Sequence, residues 1–477
     1  MDYDAIVIGS GPNGLAAAVE LARSGASVLV REARDTVGGG TRTAELTLPG
    51  FHHDVCSACH PMGILSPFFR SLKLEDHGLQ WASSDISVAH PLDDEPAVLL
   101  TRSIEETAAG LGADGERYAR LVRPFAERIH DLLPDALGPL GIPRHPFLLA
   151  RFGLTGLRSA RGLARRFSGE RAKALLAGCA GHATQPLENP LTAAMTLMFL
   201  VSGHAEDWPV AVGGSQAITA ALASVLRAHG GVIETGAPVG SLEELPPSKV
   251  VLFDTAPDQL ARLGRDHLPA RYRRQLTAYR YGPGSFKLDW ALSGPIPWRD
   301  PAVGRAATVH LGGTLDEIAR GERDAFEGRI PERPYVLMVQ QSALDPTRAP
   351  AGSHTAYAYC HVPAGSDEDM TARIEAQIER FAPGFRDLVL MRHSMGPKDF
   401  HAYSPNYVGG AVTGGVADWG QLFTRPAVRL DPYATPNPRL YICSASTPPG
   451  GGVHGMCGYH GARSALRRMA RLTAARW

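Results

Sequence analysis

The sequence has few cysteines, no long apolar run and no net charge. Its six cysteines are scattered through 477 residues, which excludes the disulfide framework of a small secreted domain. The longest mostly apolar stretch, residues 191–201, is about half of the roughly 20 residues that a membrane-spanning helix needs. Basic and acidic side chains number 48 each, so the chain lacks the electrostatic footprint of a general nucleic-acid binder. We therefore expect reduced thiols, no transmembrane span and no nucleic-acid partner.

The amino-terminal segment lacks the features of a secretory signal. Residues 1–4 are acidic, and the apolar run that follows them is too short for the core of a signal peptide. We therefore expect a cytoplasmic protein. The length predicts two or three domains of about 100 to 200 residues each. Only five of the 48 basic residues are lysines, so a lysine at a special position is notable.

A dinucleotide-binding unit stands at the amino-terminal end. Residues 4–8 are typical of a buried parallel strand, 9–14 fit the glycine pattern G-x-G-x-x-G, 15–22 favour a helix, and 26–30 favour a second strand. The glycines let backbone approach a pyrophosphate, the helix N-terminus supplies N–H groups, and an acid after the second strand can accept from ribose hydroxyls. The candidate cofactor-binding residues here are Gly9, Gly11, Pro12, Asn13, Gly14 and Glu32.

A second glycine cluster distinguishes between FAD and NAD. Residues 37–42 place Gly39 and Gly40 where backbone can pass close to a ligand, and Arg42 where it can counter phosphate charge. This arrangement resembles the FAD-binding motif of the flavin amine oxidase and phytoene desaturase superfamily, in which an arginine follows the glycines. The resemblance implies FAD as the cofactor. No second unit of the dinucleotide kind follows, so we expect no resident NAD(P)H domain.

The resemblance extends over nearly the whole chain. Residues 208–218 resemble the segment that returns to the FAD domain, and 230–239, which end at Val239, resemble the strands that pack the adenine. Residues 446–458 resemble the closing motif, whose helix N-terminus faces the flavin. The family's contacts carry over there to Ser446, Gly455 and Met456, but not to Ala445, where the family often has an acid.

The implied fold is an α/β protein, a Rossmann-type FAD-binding domain interleaved with an α+β substrate domain. We assign residues 1–74, 205–264 and 421–477 to the FAD-binding domain, and 75–204 and 265–420 to the substrate-binding and cap domain. Within the superfamily, residues 381–387 and 421–426 resemble the phytoene dehydrogenase-related oxidoreductases. Those motifs do not identify a substrate. Members of the wider family act on long isoprenoid chains, so the resemblance implies an apolar substrate.

Three residues are candidates for catalysis. Lys287 lies in an alternating strand, 284–292, that resembles the amine-oxidase strand whose lysine holds a water at flavin N5; a plain ion pair with Asp289 is the alternative. His60 follows the glycine cluster closely enough to reach the flavin edge. His454 lies in the closing turn, where a neutral histidine bonded to backbone is the alternative.

Cys56, Cys59 and His60 also spell a haem-attachment pattern, C-x-x-C-H. Covalent haem attachment needs export to an oxidising compartment, and we find no export signal. A redox-active cysteine pair is a second possibility. Two small buried thiols beside the FAD domain are the third, which we favour.

We expect an FAD-dependent oxidoreductase that desaturates a mainly apolar substrate by hydride transfer to flavin N5. The alternatives are a redox-neutral double-bond isomerase, an amine oxidase and, outside enzymes, a scaffold that binds prenylated proteins. The stretch 144–167 alternates arginines with apolar residues, which is compatible with peripheral membrane contact or with an ordinary cap. The oligomeric state is not predicted.

Overall fold

The computed structural model describes residues 2–474. Within them, the strands are β1 (Tyr3–Ile8), β2 (Val28–Arg31), β3 (Thr43–Ala44), β4 (His53–Asp54), β5 (Trp81–Ala82), β6 (Ile86–His90), β7 (Val98–Thr101), β8 (Val210–Ala211), β9 (Val232–Glu234), β10 (Ser248–Phe253), β11 (Gly284–Leu292), β12 (Thr308–Leu311), β13 (Val336–Val339), β14 (His354–Val362), β15 (Val389–Met395) and β16 (Leu440–Ile442).

The α-helices of the same residues are α1 (Pro12–Arg23), α2 (Pro61–Ile64), α3 (Pro67–Leu72), α4 (Ile104–Gly110), α5 (Gly115–Ala126), α6 (Ile129–Ala136), α7 (Pro146–Gly156), α8 (Ala160–Ala164), α9 (Glu170–Gly181), α10 (Thr192–Ala205), α11 (Gln216–Ala228), α12 (Pro257–Leu263), α13 (Ala270–Thr277), α14 (Leu315–Phe326), α15 (Gln341–Leu344), α16 (Thr371–Phe381), α17 (Pro397–Tyr403) and α18 (Met456–Ala474). None of these helices combines the length and apolar character needed to cross a membrane.

A five-stranded parallel sheet carries the nucleotide half of the molecule. Its strand order is β16-β10-β1-β2-β9, and β1 pairs with both β10 and β2. The centre of β1 is fully buried because α1 and α18 cover one face of the sheet and apolar residues of α12 and α13 cover the other; an apolar strand without alternation suits burial on both faces. This sheet confirms the predicted Rossmann-type α/β class.

A seven-stranded mixed sheet forms the second half. Its order is β15-β11-β14-β13-β12-β6-β7, antiparallel except where β12 pairs with β6. Strand β11 alternates as the sequence predicts: Phe286, Leu288 and Trp290 enter one core, while Lys287 and Asp289 lie on the opposite face. Helices α5 to α10 add a helical layer in which α9 and α10 pack together.

The two sheets draw their strands from different parts of the chain. Every strand of the parallel sheet falls within residues 1–74, 205–264 or 421–477, and every strand of the mixed sheet within 75–204 or 265–420. The chain therefore passes between the halves several times. The exact domain boundaries stay a prediction.

Candidate active site

A cavity of about 1350 Å³ lies between the two halves. The glycine turn after β1 and the turn before α18 line one part of it, and residues of β13, β14 and α10 line the other. Pockets for small ligands commonly measure about 300–1,000 Å³, so this cavity can hold a large cofactor together with a substrate. The predicted site residues can be placed against its wall.

The glycine turn has no room for larger residues at its glycine positions. Gly9 has φ +101°, and a Cβ on Gly11 would lie 2.9 Å from the Asp254 carboxylate. A Cβ on Gly14 would overlap the carbonyl oxygen of Gly9. Gly9, Gly11, Pro12 and Asn13 line the cavity, whereas Gly14 does not; its N–H donates to Asp254 Oδ2 at 2.8 Å.

The amino-terminal end of α1 faces the same turn. Its N-cap residue, Gly11, contributes no side-chain hydrogen bond, Pro12 has no N–H, and the Gly14 N–H is taken by Asp254, so the N–H groups of Gly11 and Asn13 are the ones without an acceptor among residues 2–474. The helix dipole adds positive potential at this end. These free N–H groups and the positive potential suit a pyrophosphate, and the residues present therefore fit a dinucleotide.

Glu32 and Arg42 form an ion pair at the cavity wall. Arg42 Nη2 lies 3.1 Å from Glu32 Oε1, and Glu32 Oε2 accepts from the backbone N–H of Ser10 at 3.0 Å. Arg42 also donates to Thr36 O at 2.7 Å. Both side chains are thus held rigidly beside the turn, where Glu32 is placed to meet a ribose.

The second glycine cluster packs against the first. Gly39 has φ +54°, and a Cβ there would lie 2.9 Å from Gly11 Cα. A Cβ on Gly40 would lie 2.5 Å from the Tyr407 hydroxyl. Gly39 and Gly40 both line the cavity, as do Val239 and Ser446.

The closing turn lines the cavity with the residues that precede Gly455. Residues 450–454 line the cavity, but Gly455 and Met456 do not. Gly455 packs beside Phe69 and Ala16, and Met456 is buried in the core. Contacts of Gly455 and Met456 with FAD stay a prediction.

His454 shapes that turn. Its Nδ1 accepts the Met456 N–H at 3.0 Å, which caps α18, and burial lowers its pKa to about 4. Its carbonyl accepts from Ser66 Oγ at 2.6 Å. His454 lines the cavity, but these bonds match the alternative of a neutral histidine held by backbone.

Lys287 lies behind the cavity wall. Its Nζ donates to Asp289 Oδ2 at 2.6 Å and lies 4.8 Å from the centre of the Tyr357 ring. Tyr357 lines the cavity and Lys287 does not. Burial opposes ionisation of Asp289, but Lys287 and His393 outweigh it and hold its pKa below the usual value. The structure thus shows the buried ion pair with Asp289, and a role of Lys287 at the flavin stays a prediction.

His60 lies on the wall with a defined tautomer. The Ser215 hydroxyl donates its one hydrogen to Ser57 O at 2.7 Å, so its contact with His60 Nε2, also 2.7 Å, must be a bond that His60 donates. Burial lowers the pKa of His60 to about 4, and Nδ1 has no protein partner within the described chain. His60 is therefore neutral, with its free lone pair on Nδ1.

A buried ion network holds Ser215 in place. Asp54 Oδ1 accepts the Ser215 N–H at 2.7 Å, and Arg348 Nη1 donates to Asp54 Oδ2 at 3.0 Å. Arg348 Nε also donates to Asp345 at 2.9 Å. These residues come from both halves, so the network joins the halves and orients His60.

The two cysteines beside His60 are free thiols. Burial raises the pKa of Cys59 to about 12 and raises that of Cys56. Both therefore stay protonated near neutral pH, a state that disfavours thiolate redox chemistry. This environment supports the structural interpretation of the pair.

Several wall residues were missed from sequence. Asp254 directly follows β10 and lies beside the glycine turn, and burial raises its pKa to about 7. Its place at the carboxyl end of a parallel strand could have identified it as a site residue from the sequence. Arg425 is buried and donates to Tyr279, to Gly414 O and to Ala445 O, without a carboxylate partner among residues 2–474. Nothing in the sequence marks Arg425 as a wall residue.

Comparisons with known proteins agree with this site. Residues 7–72 match the model of an NAD(P)-binding Rossmann-like domain. A rat protein, pyridine nucleotide-disulfide oxidoreductase domain-containing protein 2, is 26% identical over 98% of this chain and 94% of its own. Phytoene dehydrogenase of Streptomyces griseus is 26% identical over 75% of this chain and 72% of its own.

The fold also matches solved structures. A triple mutant of putrescine oxidase superposes with a TM-score of 0.63 at 18% identity, covering 98% of this chain and 99% of that one. Full-length relatives, the shared fold and the glycine cradle lead to the same assignment. Together they support an FAD-dependent oxidoreductase similar to the superfamily that includes the amine oxidases and the phytoene desaturases.

Proposed function

We propose that this FAD-dependent oxidoreductase introduces a double bond into a mainly apolar substrate. Two adjacent carbons of the substrate would each lose one hydrogen, one as a hydride to FAD and the other as a proton. The observation that carries the proposal is the chemical character of the substrate half of the cavity. Its wall is mainly apolar, and burial lowers the pKa of His182, which lines it. The apolar side chains that line this half include Leu149, Phe152, Met195, Met198, Phe199, Trp208, Leu337 and Val339.

His182, which lines that chamber, carries no charge. His182 Nε2 and His310 Nε2 are 3.0 Å apart, so one ring donates to the other. Burial lowers the pKa of His182 to about 3. Uncharged imidazoles beside thioether and aromatic groups suit an apolar ligand better than a charged one.

The carboxylates of the wall are already occupied. Among the described lining residues they are Glu32, Asp135 and Asp254. Asp135 accepts from the backbone N–H groups of Arg144 and His145, each at 2.8 Å, and the other two lie at the glycine turn. No carboxylate of this wall is left to hold a substrate ammonium, which favours a hydrocarbon over an amine.

The chain's own groups then have separate tasks. Bound FAD would supply the hydride acceptor. The glycine turn and the N-terminus of α1 would hold its pyrophosphate, and Glu32 its ribose. Arg425 places a positive charge on the wall near the closing turn, suited to negative charge that develops there. His60 is neutral and its Nδ1 is buried, so it adds no charge to the wall, and the mainly apolar chamber would exclude water.

An anaerobic substrate panel tests the proposal. The holoprotein is mixed with phytoene, limonene, putrescine or benzylamine, and the visible absorbance of oxidised flavin is followed. We expect a polyene or terpene to bleach the flavin and the amines to leave it unchanged. Bleaching by an amine alone would replace dehydrogenation by amine oxidation. Conversion of a polyene to its isomer, with flavin kept reduced and not consumed, would establish an isomerase.

A further inference from the structure

Two segments at the edge of the cavity expose large apolar side chains. Ile142 and Leu430 are fully exposed, at 101% and 107%, and both also line the cavity. Residues that are exposed and line the cavity mark where it reaches the surface. The exposed apolar residues of the two segments, 140–157 and 419–430, are Leu140, Ile142, Phe147, Leu154, Leu157, Trp419, Phe423, Val428 and Leu430.

The two segments form one face, which we name the mouth face. His460 Nε2 lies 3.2 Å from Leu137 O, beside the first segment, and the His460 ring stacks on Tyr433 beside the second. Leu140 and Phe423 line the same cavity. The exposed apolar groups therefore gather around one opening.

Helix α7 exposes apolar side chains on the side that does not pack against the core. Leu148 and Phe152 already bury one side of the helix, and Phe152 meets Phe125 edge-on with ring centres 5.7 Å apart. Phe147 and Leu154 extend from the other side and are 91% and 73% exposed. A helix with a satisfied inner side and an apolar outer side needs a second apolar surface.

The charge of the mouth face has one sign. Residues 136–169 contain six arginines and no aspartate or glutamate, in a chain whose net charge is zero. The second segment, 419–430, adds the exposed Arg429 and again no acid, while its Arg425 is buried. Arg144 in the first segment is exposed and forms no ion pair with any described residue, and the same holds for Arg158 and Arg165 just beyond that segment. Apolar groups among unpaired arginines suit an anionic, apolar surface.

We propose that the mouth face docks on an anionic lipid bilayer, with Ile142, Phe147 and Leu430 inserted at the boundary of the acyl chains. The arginines would meet the headgroups. The proposal rests on the proposed function in one respect: an apolar substrate could then enter the chamber from the bilayer without crossing water. This surface extends the predicted contact through 144–167 to a second segment and to the opening itself.

Vesicle sedimentation of the holoprotein tests the docking. We expect binding to vesicles of phosphatidylcholine with phosphatidylglycerol, and weak binding to phosphatidylcholine alone. Ile142→Asp combined with Phe147→Asp should reduce binding at least about tenfold, because these apolar side chains lose their burial in the bilayer. Arg144→Glu combined with Arg158→Glu should reduce it by roughly tenfold. Leu390→Asp, at an exposed apolar residue elsewhere, is the matched control and should bind as before.

The outcomes separate the possible occupants. Equal binding of all variants, or none by the unmodified protein, would overturn the docking. A dimer in light scattering that Ile142→Asp dissociates would assign the face to a second copy and also overturn it. Flavin content and unfolding temperature of each variant check that it is folded. Docking without bleaching by any polyene would refute the proposed function and leave the docking intact.

Discussion

The two halves of the cavity are built on opposite principles. In the nucleotide half, glycines bring backbone close to the ligand site, and polar groups such as Glu32 and Arg42 are tied to one another before any ligand binds. In the substrate half, bulky apolar side chains enclose space, and the buried His182 is neutral. The first arrangement demands specific residues at specific positions, whereas the second tolerates exchange among apolar residues. One fold can therefore keep its cofactor and change its substrate.

The largest effect is expected at the ion pair behind the wall. Lys287→Met leaves the fully buried Asp289 without its cation, which should destabilise the protein by about 3–5 kcal/mol. Flavin reduction should change little in the protein that stays folded, because Tyr357 separates Lys287 from the cavity. Denaturant unfolding and stopped-flow absorbance measure the two effects. Lys287→Met combined with Asp289→Leu is the control and should recover most of the stability. A tenfold slower flavin reduction in Lys287→Met, at unchanged stability, would contradict this expectation and support a role of Lys287 at the flavin.

The second-largest effect is expected from a substitution in the glycine turn, which should weaken FAD binding in the nucleotide half. Gly11→Val places a side chain against the Asp254 carboxylate, and such overpacking costs about 1–3 kcal/mol, or roughly 5- to 150-fold in FAD affinity. Gly153→Ala is the matched control, because a Cβ there meets nothing within 4 Å. Flavin content after purification and titration with FAD report the result. Full flavin content in Gly11→Val would contradict the assigned pyrophosphate site.

Asp254 predicts a pH dependence confined to the nucleotide half. Burial raises its pKa to about 7 from 3.8, so the native protein keeps a proton that the unfolded chain releases. Its contribution to stability is therefore largest at low pH and is lost as pH rises from about 4 to 7. The neutral acid also spares a pyrophosphate from repulsion, so FAD should bind more tightly at pH 6 than at pH 8.

Asp254→Asn should flatten both of these dependences. Thermal unfolding of the apoprotein and FAD titration across pH measure them. Asp266→Asn, at an exposed aspartate, is the control and should leave both profiles as they are. If Asp254→Asn keeps the original pH profiles of stability and FAD binding, another group causes them.

The smallest effect is expected in the substrate half. Met198→Gln puts an amide on the apolar wall, and we expect about tenfold weaker use of an apolar substrate with normal flavin content. Met198→Leu, which keeps the apolar character, should stay near the original rate. Loss of flavin from Met198→Gln would mean that the halves are not independent.

The same contrast explains what could be predicted from sequence. The strand, turn and helix around Gly9 to Gly14 are local, and the alternation that puts Lys287 and Asp289 on one face is also local, so both were predictable. Which side of Tyr357 the lysine occupies depends on how β14 packs, which no local pattern contains. The hydrogen bond from the Met456 N–H to His454 Nδ1, at the start of α18, is a side-chain contact that the glycine-rich motif does not reveal. The meeting of His182 with His310 needs two distant segments.

The most direct test of the account is a single anaerobic turnover with phytoene, followed by mass spectrometry of the extracted hydrocarbon. The account predicts that the flavin loses its visible absorbance while the hydrocarbon loses two hydrogen atoms per flavin reduced. A hydrocarbon recovered unchanged, with the flavin reduced by putrescine under the same conditions, would contradict it.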